Sequence, residues 1–244
     1  MLSWVIIGVV VGAVLGLTGA GGAIVALPLL QFFTGMSIHD ASVSVLPIVG
    51  VAALVSLLPQ RRHVHLGLAL RVLAFSIPVT YATAWIKPLM PSVVITVLVF
   101  LFMGWAFVQT WRRVDSPLST MPMSIGQSGF VVGTVAGVLT TMTGLGGGIL
   151  LTPLLTRLTQ LTALQIPATA LVVIAGNSFL SFVIQGAPST GLVLVDFVAL
   201  GLGLFFANVV VMVAAKRCPQ VCTRRLRKGV YMGVLCLAMA LLLI

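Results

Sequence analysis

The sequence predicts an all-α polytopic membrane protein built from two inverted-topology repeats, each with a glycine-rich broken or re-entrant helix. Three observations carry this prediction. Of the 244 residues, 60% are hydrophobic and only 7% are charged. A glycine motif occurs twice, and the basic residues cluster in short stretches. Because a soluble domain carries about a quarter charged residues, this chain lacks the polar surface that a globule needs in water.

The apolar runs fall into two sets of five, judged by sustained hydrophobicity. The first set lies at about 3–17, 21–33, 42–58, 67–86 and 91–111, and the second at about 124–142, 145–156, 163–184, 191–215 and 229–244. The polar, proline-containing stretch WRRVDSPLSTMP between the sets suits a linker. We therefore expect a first membrane repeat at 1–111, a cytoplasmic linker at 112–123 and a second membrane repeat at 124–244.

The repeat is clearest in two glycine motifs, TGAGGAIVALPLL at 18–30 and TGLGGGILLTPLL at 143–155, which share eight of thirteen positions. The same offset of 125 residues pairs Ser44 with Thr169, Leu46 with Leu171 and Ser56 with Ser181. Chance similarity between apolar segments does not usually keep the same offset over so many residues. An internal duplication is the better explanation, and many transporters are built in this way.

Loop charges predict how the repeats are oriented, because Lys and Arg collect in cytoplasmic loops. The basic stretches are RRHVH at 61–65, the pair Arg112 and Arg113, and the run from Lys216 to Lys228. The equivalent of 61–65 in the second half is 185–190, which carries no charge. We therefore expect the uncharged loop at 185–190 to lie outside. Both halves then obey the charge rule only if one half is inverted relative to the other.

The net charge of +10 reflects thirteen Lys and Arg residues against three Asp and no Glu. With the basic loops inside, Arg157 falls on the cytoplasmic side as the rule requires, whereas Lys87 falls outside as an exception. Nucleic-acid binding is the weaker interpretation, since no folded polar domain displays the basic residues.

Each glycine motif joins one apolar run to a run that is too short to cross a bilayer comfortably. As a helix, 21–33 would span only about 20 Å, against a hydrocarbon core about 30 Å thick. Non-helical backbone at membrane depth is tolerated only where it is buried in protein or lines a wet cavity. The pattern indicates a broken helix or a re-entrant hairpin in each half.

A helix that restarts after each motif would point its free N–H groups and partial positive charge into the protein, which favours an anion. Close packing of helices through small residues is the alternative role for the glycines. The expected substrate-binding residues of the two motifs are Thr18, Gly19, Gly21, Gly22, Thr143, Gly144, Gly146 and Gly147.

Three polar residues inside apolar runs extend this set of candidates. Asn177 and Ser178 are expected to contact substrate, or alternatively to form hydrogen bonds between helices. Asp196 lies a few residues inside a hydrophobic segment, where an ionisable group is costly and usually functional. It is a candidate for coupling by carrying a proton, or alternatively lies at the external headgroup level.

At these motifs, and in RRHVHLGLALR at 61–71, the sequence resembles the TauE/SafE sulfite exporter family, over nearly the whole chain. The resemblance implies two related halves and a prokaryotic inner-membrane permease for sulfite, sulfonates or related sulfur-containing anions. The expected function is therefore a secondary transporter for a small organosulfur or related anion, coupled to an ion, and not an enzyme. Export and import are both compatible with the motifs.

Two other functions stay open from the residues alone. One is a passive anion channel. The other is a membrane sulfur-redox protein that uses Cys218 and Cys222, although these lie outside the expected core and no cofactor motif accompanies them. We expect no cofactor and no metal site, and the expected partners are a small anion, the lipid bilayer and, as an open alternative, a second copy of the chain.

Overall fold

The computed structural model describes residues 27, 30–33, 35–112, 124–144, 148–162 and 164–186. These residues form helices joined by short connections, and no strand occurs among them. The predicted all-helical class is confirmed for this part of the chain. Its α-helices are α1 (Ile38–Leu57), α2 (Leu66–Ile86), α3 (Ser92–Arg112), α4 (Ile125–Thr143), α5 (Gly148–Leu158) and α6 (Gln165–Gln185).

Serine hydroxyls fix where two of the helices begin. Ser37 precedes α1 and its hydroxyl accepts a hydrogen bond from the Asp40 amide, while it donates to the Asp40 carboxylate. Ser124 caps α4 in the same way by accepting from the Gln127 amide. These bonds satisfy backbone N–H groups that have no partner within the first helical turn.

Among the described residues, three stretches are long and apolar enough to cross a membrane, namely Ile38–His63, Leu66–Leu89 and Gln165–Gln185, and Ser92–Phe102 is a shorter apolar stretch. Large apolar side chains also lie exposed on the outer faces of the helices, as at Trp85, Val93 and Val183. Exposed apolar surface of this extent indicates a lipid environment rather than water. The structure thus agrees with a membrane protein.

Contacts between named residues give the directions of four helices. Leu73 and Lys87 of α2 contact Gly176 and Gln185 of α6, so these two helices run parallel. Helix α4 runs the same way, since Gly129 packs on Arg71, and Gly137 on Ser76 further along both helices.

Helix α1 runs antiparallel to this trio. Its beginning, at Ser42, meets the end of α2 at Lys87, and its middle, at Gly50, packs on Phe179 of α6. Helices α1 and α6 are the ones that the 125-residue offset pairs as repeat equivalents. Opposite directions are what two inverted repeats require of equivalent helices.

The α2–α4 interface is closely packed because α4 presents glycine every fourth residue, at Gly129, Gly133 and Gly137. A Cβ on Gly133 would lie 2.6 Å from the Val72 carbonyl oxygen and 2.9 Å from the Phe75 Cβ. Small residues at this spacing let helix backbones approach closely in membranes. In α4, glycine therefore serves helix packing.

Helix α5 is only 11 residues long, which corresponds to about 16 Å. Its buried side chains Leu151 and Leu155 join the main hydrophobic core together with residues of α1, α2 and α6. Because α4 and α6 run parallel, the connection that contains α5 leads from the end of α4 back to the level where α4 begins. Part of that return, from 159 to 162, is not helical.

Candidate functional site

A row of polar side chains, buried except for the partly buried Gln185, lies between three of the apolar helices. On α2 the row has helical spacing, and on α6 Asn177, Ser181 and Gln185 bond residues of α2 and α4. We call it the polar seam, and define it as Ser76, Thr80, Thr83 and Lys87 of α2 with its 3-10 extension, Thr141 of α4, and Asn177, Ser178, Ser181 and Gln185 of α6.

Direct hydrogen bonds join the helices along the seam. Ser76 bonds the Asn177 side-chain oxygen between α2 and α6. One turn further on, the hydroxyls of Thr141 and Ser181 lie 3.2 Å apart between α4 and α6. At the far end, Lys87 bonds Gln185. The seam thus extends over about three turns of the parallel helices.

Several seam groups have no hydrogen-bond partner within the described ranges. They are the Thr80 hydroxyl, the Asn177 side-chain nitrogen and the Ser178 hydroxyl, and each belongs to a side chain that is fully buried or nearly so. A buried polar group without a partner costs about 1–3 kcal/mol. Such groups are normally satisfied by water or by a ligand, so the seam is suited to a polar solute.

Lys87 closes one end of the seam. Its side chain is only 2% exposed, and its ammonium donates to Ser42 Oγ at 2.7 Å and to Gln185 Oε1 at 2.6 Å. Both of these acceptors are neutral. The Asp40 carboxylate on α1 adds an electrostatic attraction to the ammonium. Among the charged side chains that the structure describes, Lys87 is the fully buried one.

Three helix ends converge on Lys87. Helix α2 ends at Lys87 itself, α4 ends at Gly144 and α6 ends at Gly186, next to Gln185. The C-terminal end of a helix carries a partial negative charge, which favours a nearby cation. This arrangement explains how an ammonium group is tolerated in an otherwise apolar helix bundle.

The second glycine motif reaches this same end of the seam through Gly144. Gly144 has φ of +68°, and its amide donates to the Thr140 carbonyl, which ends α4. Any Cβ at this position would overlap the Ser42 backbone. Since Ser42 also accepts from Lys87, the motif, α1 and the buried cation lie side by side.

Of the other predicted site residues, Thr143 is buried, and its hydroxyl donates to the Leu139 carbonyl at 2.7 Å. A contact from Thr143 to an anion would have to replace this bond. Asn177 and Ser178 lie in the seam, about one helical turn before Ser181. The structure therefore places Asn177 and Ser178 in the polar seam and Gly144 beside its Lys87 end.

The remaining predicted residues lie outside the described residues. They are Thr18, Gly19, Gly21, Gly22, Gly146, Gly147 and the coupling candidate Asp196, together with Cys218 and Cys222. Within the part of the chain that is described, no group of three or more His, Cys, Asp or Glu side chains lies together in a way that would hold a metal ion.

Lys87 is the site residue that the sequence analysis did not single out. It was expected outside as an exception to the charge rule, and the structure buries it at the end of α2. A signal was present, because Ser76, Thr80, Thr83 and Lys87 recur at intervals of four, three and four residues. That spacing puts all four on one face of a helix.

The chain was compared with family models, curated proteins and solved structures. The family model described as sulfite exporter TauE/SafE matches residues 4–241, which is nearly the whole chain. No curated protein and no solved structure gave a significant match. The membrane-spanning helices are those expected of a transmembrane transporter. The chain belongs to the TauE/SafE sulfite exporter family.

Proposed function

We propose that the protein is a secondary transporter that moves a small organosulfur or related anion, such as sulfite or a sulfonate, across the inner membrane of a prokaryotic cell. The single observation that carries the proposal is the polar seam, which places unpartnered hydroxyl and amide groups and a buried ammonium inside apolar helices. Membership of a family of sulfite exporters supports the substrate class.

The proposed architecture is a pair of inverted repeats, with 1–111 and 124–244 as the two membrane repeats and 112–123 as a cytoplasmic linker. The antiparallel packing of α1 on α6, its repeat equivalent, supports this architecture. Basic residues at Arg61, Arg62 and Arg157 share the end of the bundle opposite Lys87, as expected for the cytoplasmic side.

For the second glycine motif, a broken helix is favoured over a re-entrant hairpin. A re-entrant hairpin enters and leaves on one side, whereas the connection through α5 leads from the Lys87 end of the bundle towards the opposite end. In the proposed site, Gly144, Gly146 and Gly147 contribute backbone, Thr143 a hydroxyl, and Asn177 and Ser178 neutral polar groups. The first motif contributes Thr18, Gly19, Gly21 and Gly22 by symmetry.

Transport is proposed to be coupled to an ion, with Asp196 as the group that carries it. An ionisable residue in an apolar segment usually serves such a role. Substrate bound between the repeats would reach either side as one repeat moves against the other.

Flux measurements on the purified full chain in proteoliposomes test this function. Labelled sulfite and methanesulfonate are offered with and without an imposed pH gradient. We expect accumulation above equilibrium when the gradient is present. Equilibration without accumulation would indicate a passive channel. No flux of either anion, in protein that elutes as a single folded species, would contradict the proposed substrate class.

A further inference from the structure

We propose that Lys87 supplies the positive charge that binds the transported anion, so that the substrate must carry a negative charge next to the Lys87 ammonium. This inference rests on the proposed transport function and adds to it the charged residue of the site. The glycine motifs and the neutral seam groups can offer only partial charges, whereas the Lys87 side chain carries a full charge when it is protonated.

The hydrogen bonds of Lys87 leave one N–H donor for such a ligand. A lysine ammonium has three N–H donors, and two of them are used by Ser42 and Gln185. The third is available to an oxygen of a sulfite or sulfonate group. Both hydrogen-bond partners are neutral oxygens, and the Asp40 carboxylate also attracts the ammonium. An anion at this position would complete a charge-assisted hydrogen bond.

The position of Lys87 also connects it to the rest of the proposed site. Ser42, its first partner, lies against Gly144 of the second glycine motif. Gln185, its second partner, lies one turn beyond Ser181, and the Gln185 amide nitrogen donates to the Ser181 carbonyl. An anion that meets Lys87 is therefore at one end of the seam and beside the glycine motif.

A purely structural role for Lys87 makes different predictions. In that role, the ammonium ties α1 to α6 and offsets the partial charges of three helix ends, without touching substrate. A stronger interaction between Lys87 and its partners on α1 and α6 would then stabilise the protein and leave anion binding unchanged. If Lys87 binds the anion, a stronger interaction with those partners competes with the substrate.

Equilibrium binding to the purified full chain in detergent distinguishes the two roles, with sodium sulfite and methanesulfonate as probes and neutral dimethyl sulfone as the uncharged control. We expect Lys87→Met to weaken binding of both anions about tenfold or more, and dimethyl sulfone not to bind any variant. Arg71→Met is the matched control, because it removes an exposed cation from the same helix. It should leave the affinity unchanged.

Gln185→Glu keeps the test decisive if Lys87→Met does not fold. A carboxylate next to the ammonium acts as a built-in competing anion, so sulfite affinity should fall about tenfold while the thermal denaturation midpoint holds or rises. Wild-type affinity for sulfite in this variant, or in folded Lys87→Met, would overturn the role of Lys87 and leave the proposed transport function standing. Failure of the wild-type protein to bind either anion would overturn the proposed function and the inference together.

Discussion

The backbone carbonyl of Ser42 lies against Gly144, in the position that a side chain on residue 144 would occupy. This contact joins the beginning of α1, in the first half of the chain, to the second glycine motif. Ser42 also accepts a hydrogen bond from Lys87. One residue pair thus sets the distance between the motif and the buried cation.

The first prediction concerns the two separate reasons why residue 144 is glycine. Gly144→Ala introduces both a strained positive φ and an overlap with Ser42, so we expect it to cost about 3 kcal/mol or more. Gly35 has φ of +65° but open space around it, so Gly35→Ala should cost only about 1 kcal/mol. Thermal denaturation of the purified variants measures both.

Gly126→Ala is the control for this pair, because Gly126 lies in α4 with open space and no positive φ. It should be neutral or slightly stabilising, since alanine has the higher helix propensity. The expected order of destabilisation is Gly144, then Gly35, then Gly126. Equal effects at Gly144 and Gly35 would show that the contact with Ser42 is not tight.

The second prediction concerns the α2–α4 interface. Gly133→Ala places a methyl group against the Val72 carbonyl and Phe75, so the helices must separate. We expect a loss of about 1–3 kcal/mol, seen as a lower denaturation midpoint. Gly104→Ala in α3 is the matched helix control, because its Cβ meets open space. A Gly133 variant as stable as the Gly104 variant would contradict this packing.

The third prediction concerns the two ends of the bundle. Introduced into a background with the native cysteines replaced by serine, Ser92→Cys should react with a membrane-impermeant maleimide added to intact cells. His63→Cys should react only after the membrane is permeabilised, because His63 follows the basic residues Arg61 and Arg62, which favour the cytoplasm. Labelling of both positions from the same side would contradict α2 as a membrane-spanning helix.

The fourth prediction concerns Cys218 and Cys222. If the protein is a transporter whose site is the polar seam, replacing both cysteines with serine should leave the initial rate of sulfite uptake unchanged within about twofold. Thiol chemistry in a redox protein requires the thiolate. Loss of all activity in a folded double variant would therefore favour the sulfur-redox alternative over transport.

Most of the described fold could be predicted from the sequence, because long apolar runs report directly on membrane-spanning helices. The runs at 42–58, 67–86, 91–111, 124–142 and 163–184 correspond to α1, α2, α3, α4 and α6 within a few residues. Hydrophobicity says nothing about which helices touch, so the parallel trio of α2, α4 and α6 was not predictable from composition. It follows from glycines such as Gly133 and Gly176, whose partners only the structure identifies.

The candidate site was predicted in part. Asn177 and Ser178 stand out in sequence as polar residues in an apolar run, and both are buried in the seam. Lys87 was expected only as an external exception to the charge rule, which does not distinguish a buried lysine from a solvated lysine near a helix end. Only the contacts with Ser42 and Gln185 show that this lysine points into the protein.

The central claim is that the anion passes along the polar seam, and sulfite uptake by two isosteric or near-isosteric variants tests it most directly. Thr80→Val and Ser178→Ala each remove a hydroxyl that has no partner among the described residues, so neither should destabilise the fold. Thr96→Val is the control on α3, where the hydroxyl donates only to the Ser92 carbonyl within its own helix. We predict that both seam variants, with unchanged or higher denaturation midpoints, take up labelled sulfite at least about tenfold more slowly than wild type, while Thr96→Val keeps the wild-type rate. Wild-type uptake by both seam variants would contradict passage along the seam.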